Sequence, residues 1–152
     1  ENGMPRFFRR FSEGVFDLED LRVRTRELAE FISKASGIYS FDMRKLVAAG
    51  YSNGANIAAS VLLTYSGVIP VAVLFHPMVP FVPDALPDLS GTEILITAGT
   101  YDPIVSPEGT ENLADLLKEA GARVDVFWQE NGHSLTRDEI NAARAFLRES
   151  LK

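Results

Sequence analysis

Apolar residues recur first at helical spacing. Leu18, Leu21, Leu28, Phe31 and Ile32 fall on one stripe, Glu19 and Asp20 occupy the opening turn, and Gly37 follows the closing one. This predicts a helix from about residue 18 to residue 36. Beyond it the stripe gives way to a short apolar run at Leu46 to Tyr51, which reads as a strand buried on both faces, and Val71 to Phe75, Glu93 to Ala98 and Val124 to Gln129 read as three further strands. The small-residue segment from Ala55 to Leu63 reads as a buried helix ending near Gly67, and residues 107 to 120 as another closed by Gly121. A last helix opens at Thr136-Arg137-Asp138-Glu139, a capping box in which Thr136 covers the first turn and Glu139 reaches back. Its apolar face is Ile140, Ala143, Phe146 and Leu147.

Strands that alternate with helices require crossovers that travel back over the sheet, so the expected class is a single α/β domain over residues 1 to 152 with a mainly parallel sheet covered on both faces. One connection stands apart. From His76 to Ser90 the chain carries Pro77, Pro80, Pro83 and Pro87, a loop long enough to suggest a functional role.

Composition narrows the chemistry. The chain has no cysteine and two histidines, which excludes disulfides and thiolate chemistry and leaves little for a metal centre, so neither metal nor cofactor is expected. Its net charge of −6 argues against nucleic acid or an anionic membrane as partner. The longest apolar stretches fall far short of the roughly 20 residues of a membrane span. The start Glu1-Asn2-Gly3-Met4-Pro5-Arg6 lacks the basic and apolar regions of a signal peptide, so a cytoplasmic location is expected. Between Lys45 and Lys118 there is no Lys or Arg, and this middle reads as interior.

Gly50-Tyr51-Ser52-Asn53-Gly54 fits G-x-S-x-G at the junction of a predicted strand and helix, where a tight turn would present the Ser52 hydroxyl at the sheet edge. The Asn53 backbone N–H, at a helix N-terminus, is placed to stabilise an oxyanion. A serine nucleophile needs a base, and the base needs an orienting acid. Asp102 follows the third strand and His133 the fourth, in the order Ser, Asp, His that this arrangement uses. Read singly, Asp102 is also an ordinary Asp-Pro turn and His133 a loop histidine. His76 is a rival base; it is assigned with Met78, Phe81, Tyr51 and Ile104 to the substrate-pocket wall, with a hydrogen-bonded core histidine as the alternative. His76 is accordingly expected to affect substrate binding more than turnover. Asp84 and Asp88, rival acids, are expected to be solvated. Phe7, Phe8, Phe11 and Phe16 form either a flap over the pocket or an anchor to the core.

These residues resemble a known family. The serine elbow, Asp102-Pro103-Ile104, Gly132-His133, the segment from Glu1 to Arg10, and His76-Pro77-Met78-Val79-Pro80 are similar to bacterial carboxylesterases of the phospholipase/carboxylesterase group, above all the hydrolases named for methylhydroquinone resistance. The resemblance implies a three-layer α/β-hydrolase fold and a metal-free serine esterase of small carboxylic esters, with Ser52 as nucleophile, Asp102 as acid and His133 as base. It also implies about sixty preceding residues, with two more strands and a His-Gly-x-Gly loop that supplies a second oxyanion N–H. Without them the nucleophile strand would lie on an open edge, to be paired by the missing segment or by a second copy in a homodimer. A catalytically silent binding module is the alternative to an esterase, as is a thioesterase or lysophospholipase with the same triad.

Overall fold

The computed structural model describes residues 5–152; Glu1 to Met4, part of the segment that carries the resemblance, lie outside them. Two short antiparallel strands, β1 (Arg10–Ser12) and β2 (Val15–Phe16), lead into α1 (Leu18–Tyr39). A 3-10 turn at Met43–Lys45 precedes β3 (Val47–Tyr51), α2 (Asn53–Thr64), β4 (Val71–Phe75), β5 (Glu93–Gly99), α3 (Pro107–Glu119), β6 (Arg123–Gln129) and α4 (Arg137–Ser150). The order of β3 onward matches the sequence pattern. The β1–β2 hairpin does not appear in it, because two strands of three and two residues are too short to set up a period.

Helix α1 begins at Asp17, whose carboxylate accepts the Asp20 N–H at 3.1 Å. It continues through Gly37 to Tyr39, three residues past the expected end, and stops at Ser40 with φ 55°. Helix α2 opens at Asn53, directly after the serine. The shift follows from the turn: Ser52 itself serves as the N-cap residue, so no further linker is needed before helical geometry starts.

The four-stranded sheet has the order β3-β4-β5-β6 and is parallel throughout. Among the described residues β3 pairs with β4 alone. Side chains alternate across this sheet. Ala72, Leu74, Ile94 and Ile96 face α2 and α3, where Ala55, Leu62, Leu113 and Leu117 complete the larger core. Val71, Val73, Phe75 and Leu95 face Ala143 and Phe146 of α4. The result is three layers, with α1 packed outside α2. Burial of a leucine such as Leu62 or Leu117 contributes about 1.5–3 kcal/mol, and every residue of α2 from Ala55 to Leu63 is buried. The small side chains there let the helix lie close to the sheet.

Phe8 is buried against Leu21 and Ile57 and meets the edge of Phe16 at 5.2 Å, whereas Phe7 and Phe11 are exposed. Of the two expectations for this segment, Phe8 and Phe16 follow the anchor. No helix among the described residues is long and apolar enough to cross a membrane.

Candidate active site

Because all four strands of the main sheet run the same way, their C-terminal ends share one edge, and the loops leaving that edge carry the expected residues. Ser52 follows β3 with φ 51° and ψ −110°, an uncommon conformation for a residue with a side chain. It is held from both sides: its N–H donates to the Phe75 carbonyl at 2.8 Å, and its carbonyl accepts the Asn56 N–H at 2.9 Å. Gly50 makes the turn possible, since a Cβ there would overlap the backbone of Gly54 and Ala55.

The Ser52 Oγ lies 2.9 Å from His133 Nε2, and His133 Nδ1 lies 2.7 Å from Asp102 Oδ2. An ionised carboxylate only accepts, so Nδ1 carries the ring proton and Nε2 is left to accept the serine hydroxyl. The other oxygen of Asp102 accepts the N–H groups of Ile104 at 2.8 Å and Val105 at 3.1 Å. Burial pushes the Asp102 carboxyl up, but the bonds from His133, the Ile104 amide, His76 and the Val105 amide together outweigh it and hold the group below its ordinary range.

The loop bearing His133 is tied to the loop bearing Asp102. The Thr100 N–H donates to the Gln129 carbonyl and the Tyr101 N–H to the Asn131 carbonyl, at 2.8 and 3.0 Å. From the nucleophile side, Tyr51 Oη donates to the His133 carbonyl at 2.8 Å. Burial, then the charges of Asp102 and Glu139, push this phenol up, so it stays a neutral donor.

A cavity of about 410 Å³ opens on this site, lined by Ser52, Asn53, His133, Tyr51, Met78 and Ile104 among others. Phe81 and His76 do not line it. Phe81 packs partly buried against the core. The pocket-wall assignment of His76 is corrected: its side chain is 0% exposed, with Nδ1 2.9 Å from Asp102 Oδ2 and Nε2 2.8 Å from Glu139 Oε1. Burial between two carboxylates draws the ring inward, which is the core-histidine alternative. Asp84 and Asp88 are exposed. Larger cavities lie elsewhere, one of them a groove along the open side of β3 that takes in Tyr51 and Asn53, but none of them is lined by Ser52, Asp102 or His133.

Asn53 begins α2, so its N–H is among the amides at a helix start without intrahelical partners. Its side-chain Oδ1 accepts the Phe7 N–H at 2.8 Å. His76, Asp102 and His133 also bring ligand atoms within 4.8 Å of one another, but a cation there would have to displace the hydrogen bonds that already join them.

The profile of the dienelactone hydrolase family matches residues 14–148. The chain belongs to the dienelactone hydrolase family. MhqD of Bacillus subtilis (strain 168), provisionally named a hydrolase, is 50% identical over 151 residues, 99% of this chain and 76% of that one. The crystal structure of a Bacillus cereus carboxylesterase superposes with a TM-score of 0.96 at 50% identity, covering 99% of this chain and 71% of that one. A Mesorhizobium loti carboxylesterase gives a TM-score of 0.88 at 29% identity, covering 97% and 70%. This member of the dienelactone hydrolase family thus has the α/β-hydrolase fold and is a hydrolase, and it spans between 70% and 76% of the length of these relatives.

Glu139 and its partner Thr97 were not among the expected site residues. Glu139 was visible only as the third position of a capping box, which it does form, but its second oxygen reaches Thr97 and the His76 ring across the sheet. No local pattern encodes that reach.

Proposed function

We propose that the chain hydrolyses small carboxylic esters by acyl transfer to water, with Ser52 as nucleophile, His133 as general base and then acid, and Asp102 as the acid that orients it. The reading rests on one observation, the unbroken path from Ser52 Oγ through both nitrogens of His133 to Asp102 Oδ2, at 2.9 and 2.7 Å. Ser52 Oγ forms a bond to the ester carbonyl carbon as its proton passes to His133 Nε2, and the carbonyl electron pair moves onto oxygen. The Asn53 N–H stabilises that oxyanion. Collapse of the tetrahedral intermediate breaks the bond to the alkoxy group, which leaves as an alcohol with the proton from His133. Water, deprotonated by the same nitrogen, then attacks the acyl-enzyme, releases the carboxylic acid and restores Ser52.

Support for an ester substrate comes from two carboxylesterases among the structural relatives and from Met78, Ile104 and Tyr51 in the cavity wall. A small-molecule ester is the partner this reading requires. The test is intact-mass analysis after exposure to a fluorophosphonate. Serine attack on phosphorus displaces fluoride and adds a single phosphonyl group. One adduct, absent from Ser52→Ala, followed by turnover of short acyl or aryl esters, supports the reading. An adduct that persists in Ser52→Ala overturns the assignment, and turnover confined to thioesters redirects the substrate class.

A further inference from the structure

Behind the triad lies a second buried array that acyl transfer as written does not use. The Oδ2 atom of Asp102 is shared: His133 Nδ1 approaches it at 2.7 Å and His76 Nδ1 at 2.9 Å. The far nitrogen of His76 meets Glu139 Oε1 at 2.8 Å. That approach lies off the hydrogen-bond direction of the ring nitrogen, so it is a close electrostatic contact more than an aligned bond.

Glu139 is fully buried, yet it is surrounded by donors. Thr97 Oγ1 donates to Oε1 at 2.6 Å, and the Thr136 N–H and Oγ1 reach Oε2 at 2.8 and 2.9 Å. It also occupies the first turn of α4, where the helix dipole favours negative charge. These contacts use both Glu139 oxygens as acceptors, as the four donors use both oxygens of Asp102. A carboxylate cannot donate, so the Nδ1 bond to Asp102 takes its proton from the ring, and a bare lone pair on Nε2 would be repelled by an anionic oxygen 2.8 Å away, so Nε2 carries a proton as well. The other groups facing this ring are the His133 ring, at a centroid distance of 5.2 Å, and the edge of Tyr51, at 5.9 Å. Neither offers a compensating negative charge. The backbone bears the same mark: His76 has φ 50°, and its N–H is fixed to the Thr97 carbonyl at 2.8 Å. A strained conformation persists only where its surroundings over-determine it.

We propose that His76 and Glu139 are positioning residues for the acid of the triad: His76, doubly protonated between two carboxylates, fixes Asp102 Oδ2 in the direction of His133, and Glu139 balances the charge of His76. Its catalytic meaning rests on the triad reading; its geometry does not. The shared oxygen explains the arrangement. A doubly protonated His76 without Glu139 would compete with the His133 imidazolium for one carboxylate, whereas with Glu139 in place each histidine has an anionic partner.

The chain holds only two histidines, so nitrogen NMR of the histidine-labelled 152-residue protein resolves every ring. The expected spectrum has both His76 nitrogens protonated, each facing its own carboxylate oxygen. Glu139→Gln, which keeps a capping-box residue type, should remove one of those protons. Two variants at position 76 both tolerate its positive φ and differ in the donor. His76→Asn offers an amide N–H to Asp102 and should keep a slowly exchanging His133 Nδ1 proton. His76→Gly offers none and should lose it, with a fall in the fluorophosphonate reaction rate of about tenfold or more, as for other groups that orient a functional side chain from behind. A single ring proton on wild-type His76, an unchanged His76 in Glu139→Gln, or a His133 Nδ1 signal equally persistent in His76→Gly each overturns the proposal. An unreactive wild-type Ser52 instead counts against the esterase reading, and the ring spectra still decide this one.

Discussion

At the scale of single residues, the site depends on a few side chains whose surroundings leave them one conformation. Ser52 is the plainest. Its positive φ, its two backbone bonds and the absence of a Cβ at Gly50 all fix the hydroxyl on the cavity side. Ser52→Ala and His133→Ala should therefore each lower kcat for a short aryl ester by roughly 10⁴-fold or more, as for triad members elsewhere, with the urea midpoint little changed. Retention of activity in His133→Ala would assign the base to another group. His76 belongs to a different part of the argument. Because it lies behind Asp102 and not in the cavity wall, a substitution there should act on kcat and leave KM near its wild-type value, the reverse of what the sequence alone suggests. Steady-state kinetics of His76→Asn and His76→Gly separate the two parameters.

At the scale of elements, the outcome depends on how the loops at the C-terminal edge are held together. Gly99, the last residue of β5, has no room for a side chain: a Cβ there would overlap the carbonyls of Asn131 and Gly132, just before His133. Gly99→Ala must push that loop away. It should cost about 1–3 kcal/mol, the usual range for overpacking, and lower esterase activity by more than the loss of folded protein explains. Thermal unfolding and kcat measured on the same sample distinguish the two effects; full activity at a lowered Tm would show that the loop absorbs the displacement without moving His133. The elements themselves were mostly legible in the sequence, and the reason is local. The runs at Val71 to Phe75 and Ile94 to Ile96 are apolar on both faces, and the glycines around Ser52 mark the turn that presents it. Asp102 and His133 could be ordered because each follows a strand of a parallel sheet, so their proximity comes from topology. Glu139 could not be found in this way. Its role in the capping box satisfies every local criterion, and its approach to His76 depends on β4, β5 and α4 meeting in one place, 63 residues apart along the chain from His76 to Glu139. The hairpin of β1 and β2 was missed for the opposite reason: it has too few residues to show a period, and its contact with the core runs through Phe16, which meets the ring of Phe8.

At the scale of the whole molecule, the buried acid links catalysis to the stability of the fold. Asp102 lies between two loops and beside the sheet, and its carboxyl is held below the ordinary range in the folded chain. In the unfolded chain it returns to the ordinary value of about 3.9. Between the folded and unfolded values the unfolded state binds more protons, so stability rises with pH in that window. The contribution is fully present above about pH 4 to 5 and is lost as the pH falls through the folded value. Asp42 and Asp88 are lowered as well, but both are exposed and are shared by any Asp102 variant, so they cancel in a comparison. Asp102→Asn should therefore be less stable than the wild type at pH 7, because His76 and His133 lose their common acceptor, and should lose less of its remaining stability on acidification. Urea unfolding at a neutral pH and at one below the ordinary aspartate range tests this directly. Converging curves indicate that the fold stores stability in the ionised Asp102; parallel curves would mean that its proton affinity is the same in the folded and unfolded chains. Since the ionised form is also the one that orients His133, convergence would place the acid limits of stability and of esterase activity on the same carboxylate.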